Sequence, residues 1–188
     1  MLAALEKVAR LLAARGARVR ELAWPYERKD GQPAFSRLAQ AQRTVQLFET
    51  ARALGPEAQY RREALSARLV ALIEEGRTIG AGDYVEALQV GRNCAAGVDQ
   101  LFGDADVVLT PSAPGEAPLG LAETGDPGFQ AIWTVLYTPT MTLPTHRGPN
   151  GMPVGIQLVA LPHEDRRLFA AARWVWQQIG APELVGTR

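Results

Sequence analysis

Hydrophobic periodicity changes once along this chain, near Asp106, and that change limits what it can fold into. Before it, apolar residues recur at helical spacing. Leu2, Leu5, Val8 and Leu12 share one face, and Gly16 stands where a left-handed C-cap would end a helix. Leu38, Ala41, Val45, Phe48 and Ala51 keep that spacing up to Gly55-Pro56. There a second helix is expected, with proline in its first turn, running through Tyr60, Leu65, Leu69, Leu72 and Ile73 to Gly76. Asp83, with Glu86 three residues on, has the form of a capping box and opens a third run through Leu88, Ala95, Val98 and Leu101. One stretch departs from this pattern: from Ala17 to Leu22 apolar and charged residues alternate as in a half-buried strand, until Trp24-Pro25 breaks it. A polar turn around Lys29-Asp30-Gly31 follows.

After Asp106 the chain reads as strands and breakers. Asp106 to Pro111, DVVLTP, is a short continuous apolar run stopped by proline, the pattern of a strand buried on both faces. Residues 111 to 127 hold Pro111, Pro114, Pro118 and Pro127 with glycines among them, so a long loop is expected, and loops of that length more often serve function than mere connection. A short apolar helix through Phe129, Ile132, Trp133 and Leu136 comes next, then a strand from Thr140 to Leu143, a Gly-Pro-Asn-Gly turn at 148 to 151 and a strand from 154 to 160. The last element, from Asp165 through Leu168, Ala172, Val175 and Ile179 to Gly180, reads as an amphipathic helix capped at both ends. Helices mixed with short apolar strands give an α/β fold class, helix-rich in the first half, with strands mainly in residues 106 to 160. A single domain over 1–188 is expected: helical over 1–102 apart from the strand near 17–22, then sheet plus helices over 103–180.

Composition narrows the function classes. Twenty basic and twenty acidic residues cancel, so no charge excess points to nucleic acid or an anionic membrane. The one cysteine, Cys94, leaves no intrachain disulfide and no multi-cysteine zinc site, and a reducing compartment suits it. Glu6, Lys7 and Arg10 interrupt the first apolar stretch, which fits neither a signal peptide nor a membrane span. A cytoplasmic protein needing no metal or cofactor is the expectation.

From Ala81 to Gly180 the order of motifs resembles the C-terminal part of the amidase-signature family. The string comprises Gly82-Asp83-Tyr84, Ala87 and Arg92, Leu101-Phe102, Asp106 to Pro111, and Ala117-Pro118. It continues through Phe129, Trp133, Pro139, Leu143-Pro144, Gly151 to Val159, and Asp165 at the final helix; Glu49 extends it loosely upstream. The resemblance implies part of a mixed-sheet α/β/α fold and hydrolysis of carboxamides, or ammonia release from glutamine or asparagine in the tRNA-dependent amidotransferase branch. It implies a serine nucleophile, a second serine in the cis form and a lysine base. A lysine takes up a proton at neutral pH only when burial or neighbouring groups depress its pKa. In the family that glycine- and serine-rich segment lies N-terminal to everything matched here.

The residues themselves agree that a catalytic set is missing. The serines are Ser36, Ser66 and Ser112, and the lysines Lys7 and Lys29. Ser36 and Ser66 read as ordinary helix residues, Lys7 as the polar face of the first helix and Lys29 as a solvated turn. Ser112 follows a buried strand, where α/β enzymes commonly place ligand-facing groups, and fits a pocket wall better than a nucleophile. His146 and His163 read as loop residues without triad or metal partners, Cys94 as a gap-filler within a helix, and Gln157 as a strand residue satisfied by backbone groups. The resemblance makes Thr110, Pro111, Ser112, Phe129, Trp133 and Leu136 candidate walls of a substrate cavity, although Phe129 and Trp133 fit a core equally well. The expectation is therefore a portion of an amidase, inactive alone, whose small amide substrate binds only in the complete enzyme. A subunit completed by a separate polypeptide and a non-catalytic binding module are the alternatives. Uncovered sheet edge or helices should drive homo-oligomerisation.

Overall fold

The computed structural model describes residues 2–24 and 35–179, which divide into two compact units, one built from residues up to Trp24 and from Val98 onward, the other from Pro25 to Gly97. The expected turn at Lys29-Asp30-Gly31 and the cap at Gly180 lie outside the described residues.

The first unit holds α1 (Leu2–Ala14), α6 (Val98–Phe102), β1 (Val108–Pro111), α7 (Gly128–Val135), β2 (Thr140–Arg147), β3 (Pro153–Val159) and α8 (Asp165–Ile179). The strands form one sheet in the order β1-β3-β2, antiparallel throughout. The α/β expectation holds, while the mixed character implied for a complete fold is not seen among these three strands. Successive residues of a strand face opposite sides. Ile156, Leu158 and the following Ala160 therefore share one side of β3, where they form a buried cluster with Val8 and Leu12 of α1 and Leu168, Ala172 and Val175 of α8. Burying each large aliphatic side chain contributes roughly 1.5–3 kcal/mol, so this cluster is what holds the two helices to the sheet. Gly155 and Gln157 face the other side, towards α7.

Three expectations in this unit are corrected. Residues 17 to 22 have no regular structure and join no ladder among the described residues. Their charged positions act elsewhere: Arg18 and Arg20 pair with Asp104 at 3.0 and 3.1 Å, and Arg20 donates to the Phe102 carbonyl at 2.8 Å. These guanidiniums, Arg18 first, hold the Asp104 carboxyl below its usual range. β2 reaches Arg147 instead of stopping at Leu143, with an irregularity between Pro144 and His146 that absorbs the proline. His146 is consequently a strand residue, not a loop one.

The second unit is helical: α2 (Leu38–Ala53), α3 (Gly55–Tyr60), α4 (Ala67–Arg77) and α5 (Ala81–Ala96), with a 3₁₀ turn at Phe35–Arg37 that contains Ser36. α2 packs against α4 and α5. The α2–α4 approach depends on Gly76, because a Cβ there would collide with the Leu47 carbonyl and lie 2.8 Å from Ala51 Cβ. Across α2 and α5, Phe48 and Tyr84 stack with centroids 4.0 Å apart, Arg52 covers the Phe48 ring, and Tyr84 donates to Glu49 at 2.9 Å.

The single helix expected from Pro56 to Gly76 is interrupted. Ser66 is an N-cap: its hydroxyl accepts from Leu69 N at 3.2 Å and starts α4, so it is not an interior helix residue. Likewise α5 begins two residues before Asp83. Asp83 is the third helical residue and its carboxylate accepts from Gly80 N at 3.2 Å, half of a capping box, since glycine has no side chain to return the bond. The helix stops at Gly97 and does not continue to Leu101.

Candidate functional site

Thr110 and Pro111 end β1 and Ser112 follows it, while Phe129, Trp133 and Leu136 belong to α7 and its C-terminal cap, so the predicted wall residues come from an edge strand and one helix. Gln157 joins them. Its side-chain amide donates to Thr110 Oγ1 and to the Phe129 carbonyl, each at 3.3 Å, from a position only 1% exposed. A buried amide left without partners would cost about 1–3 kcal/mol, so these bonds are what make a polar residue tolerable in this apolar strand. The expectation of backbone satisfaction was half of the answer, since the other partner is a side chain.

Ser112 carries the second link. Its hydroxyl donates to the Gly155 carbonyl at 2.8 Å, and its own carbonyl accepts from Gln130 Nε2 at 3.1 Å. Gly155 suits this close approach: a Cβ there would lie 2.6 Å from Thr142 Cγ2 and 2.9 Å from the Leu143 carbonyl. Trp133 and Leu136 are buried, Trp133 meeting Trp24 edge to face with centroids 5.7 Å apart. Phe129 is partly exposed. Of the six candidate wall residues, Phe129 is the most exposed, Thr110 is half-buried, and Pro111, Ser112, Trp133 and Leu136 are buried.

Among the described residues no proton relay accompanies this geometry. A carbonyl oxygen cannot take the Ser112 proton, so the bond to Gly155 positions the hydroxyl without activating it. Lys7 is exposed on α1, and Lys29 lies outside the described residues. His146 Nδ1 is 2.6 Å from the neighbouring Thr145 hydroxyl, and partial burial, then the Lys7 charge, push its pKa down. His163 is exposed in the turn before α8, with φ 67°. Cys94 is buried in α5, and burial raises its thiol pKa, the opposite of what a nucleophile needs. Among the described residues no group of three or more His, Cys, Asp or Glu could hold a metal ion, and no helix is long and apolar enough to cross a membrane.

Two contributors gave no sign in the sequence. Gln130 sits in α7 and looks like a solvent-facing residue. Glu116, in the 112–127 connection, makes four hydrogen bonds with residues 150 and 152. Neither has a local signature, because their partners lie 18 and more than 30 residues away in the chain.

The family model described as Amidase matches residues 1–169. The chain belongs to the amidase family. Among curated proteins, this amidase-family chain is 32% identical over 112 residues to 2-amino-5-chloromuconic acid deaminase of Comamonas testosteroni, covering 54% of this chain and 24% of that protein. It is 30% identical over 95 residues to a glutamyl-tRNA(Gln) amidotransferase subunit of Aliarcobacter butzleri (strain RM4018), covering 47% and 21% respectively. A crystal structure of an amidase superposes with a TM-score of 0.81 over 94% of this chain and 41% of that one, at 24% identity. A protein of a vestigial complex related to an s-triazine catabolic enzyme superposes with a TM-score of 0.77 over 98% and 40%, at 23% identity. Those two likenesses concern fold alone. The chain thus spans about a quarter of the curated relatives and two fifths of the solved ones.

Proposed function

We propose that this chain is one portion of an amide hydrolase: it supplies scaffold and part of the substrate wall, and a serine- and lysine-bearing segment outside these 188 residues supplies the chemistry. The observation that carries this reading is the state of Ser112. It directly follows a sheet strand, and its hydroxyl proton goes to the Gly155 carbonyl, with no lysine or histidine among its hydrogen-bond partners within the described residues. A wall built from Phe129 and the β1 end, braced by Gln157, suits binding of a small amide and not its cleavage. The share of each relative that is matched supports the same division.

The test is direct. The purified chain should release no ammonia from benzamide, and co-expression with a polypeptide carrying the serine–lysine segment should be required for turnover. Activity of the chain alone that survives purification and disappears in Ser112→Ala would overturn the proposal.

A further inference from the structure

The connection from Ser112 to Pro127 has no regular structure, yet it is fastened at three places. Ser112 holds its start against Gly155, and Asp126 holds its end by accepting from Gly128 N at 2.8 Å. Glu116 makes the third fastening, and it is the most elaborate. One carboxylate oxygen accepts from Asn150 N at 3.0 Å and Met152 N at 2.9 Å; the other accepts from Asn150 Nδ2 at 2.8 Å and Asn150 N at 3.1 Å. The turn between β2 and β3 is shaped to receive this group. Gly148 lies so close that a Cβ would collide with the Glu116 carboxyl, and Gly151 takes φ 83° to turn the chain beneath it. Beyond Glu116, Leu119 and Leu121 are fully exposed.

We propose that Glu116 is a positioning residue of the amide-site wall, its carboxylate latching the connection onto the β2–β3 turn so that residues 112 to 116 keep one place over β3. This inference rests on reading Ser112 and its neighbours as that wall. Three N–H groups, one of them shared between both oxygens, converge on this one carboxylate, and bonds to an ionised acceptor are stronger than neutral ones. They make the placement depend on one titratable group. Desolvation opposes ionisation of Glu116, but the bonds from Asn150, Met152 and Gly151 outweigh it and hold the carboxyl below its ordinary range. The latch is therefore complete above the ordinary carboxylate pKa and is lost as pH falls through the lowered value. At the turn itself the other charged group is Arg147, which donates to the Gly151 carbonyl at 2.8 Å, and on the connection the other charged residues are Glu123 and Asp126.

Residue-resolved amide exchange in the full chain tests this, because the N–H groups of Asn150 and Met152 are themselves the donors. In Glu116→Ala both should exchange about tenfold faster or more, with the central β3 amides unchanged. The wild-type protein should show the same loss of protection as acid protonates Glu116, after correction for intrinsic exchange. Glu116→Gln keeps an acceptor but cannot titrate, so it should retain partial protection with no acid step. Undiminished protection in Glu116→Ala, or an acid step that persists in Glu116→Gln, would overturn the inference; should the alanine variant fail to fold, the glutamine variant decides alone. An active isolated chain would sink the proposed function without altering these amides, and an unchanged latch would sink this inference while leaving that reading in place.

Discussion

At the residue scale, Gln157 shows how far a single position can be read. Its oddity was visible in the sequence, a polar side chain inside VGIQLVA. Its meaning was not, because Phe129 and Thr110 reach it from 28 and 47 residues away. The same holds for the wall residues. Sequence pattern placed Thr110 to Ser112 at a strand end and Phe129 to Leu136 on a helix, but only the fold shows one amide joining the two. Removing that amide separates the effects. Gln157→Leu keeps the volume and abandons the Thr110 hydroxyl and Phe129 carbonyl, so it should cost about 1–3 kcal/mol. Ser112→Ala, which leaves one carbonyl without its donor at the sheet margin, should cost about 1 kcal/mol. Urea unfolding monitored by circular dichroism measures both, and equal midpoints for Gln157→Leu and wild type would show that this network does not hold α7 to the sheet.

At the element scale, the helices and strands were legible where periodicity runs unbroken, as in α1, α2, α7 and α8. The errors fall where a polar cap or a missing partner competes with the pattern. Apolar spacing runs straight across Ser66, and a helix-interior reading followed from it; the serine's bond to Leu69 N favours a start there instead. Residues 17 to 22 alternate as a strand should, but a strand needs a ladder, and Arg18 and Arg20 find Asp104 instead. Gly76 sets a sharper test of packing. Alanine is favoured over glycine in a helix interior by about 1 kcal/mol. At Gly76 the added methyl meets the Leu47 carbonyl, a backbone atom that cannot turn aside, and overpacking of this kind costs about 1–3 kcal/mol. Gly76→Ala should therefore lower stability, whereas Gly82→Ala, in open space near the start of α5, should leave it unchanged or raise it slightly. Thermal melts of the two variants side by side check the prediction, and a stabilised Gly76→Ala would mean that α2 and α4 can move apart at no cost.

At the scale of the whole molecule, the two outer edges of the sheet differ in a way that bears on association. In an antiparallel ladder alternate residues turn their N–H and C=O groups away from the partner strand, so each outer strand offers a row of unpaired groups. On β2 that row is blunted by Pro144, by the irregularity before His146 and by Arg147, devices that discourage strand addition. On β1 only the terminal Pro111 interrupts the row: Val108 to Thr110 have no charge and no bulge, and no backbone partner on their outer side among the described residues. Edge pairing should therefore proceed through β1. Sedimentation equilibrium over a range of micromolar loading concentrations should give an average mass that rises above the 20.4 kDa of one chain. Amide exchange at Val108 to Thr110 should slow as concentration increases, while that of β2 stays constant. A single 20.4 kDa species at every concentration would reject self-association. Association with β1 exchange unchanged would move the contact elsewhere, because a strand added to this edge must protect the amides that it pairs.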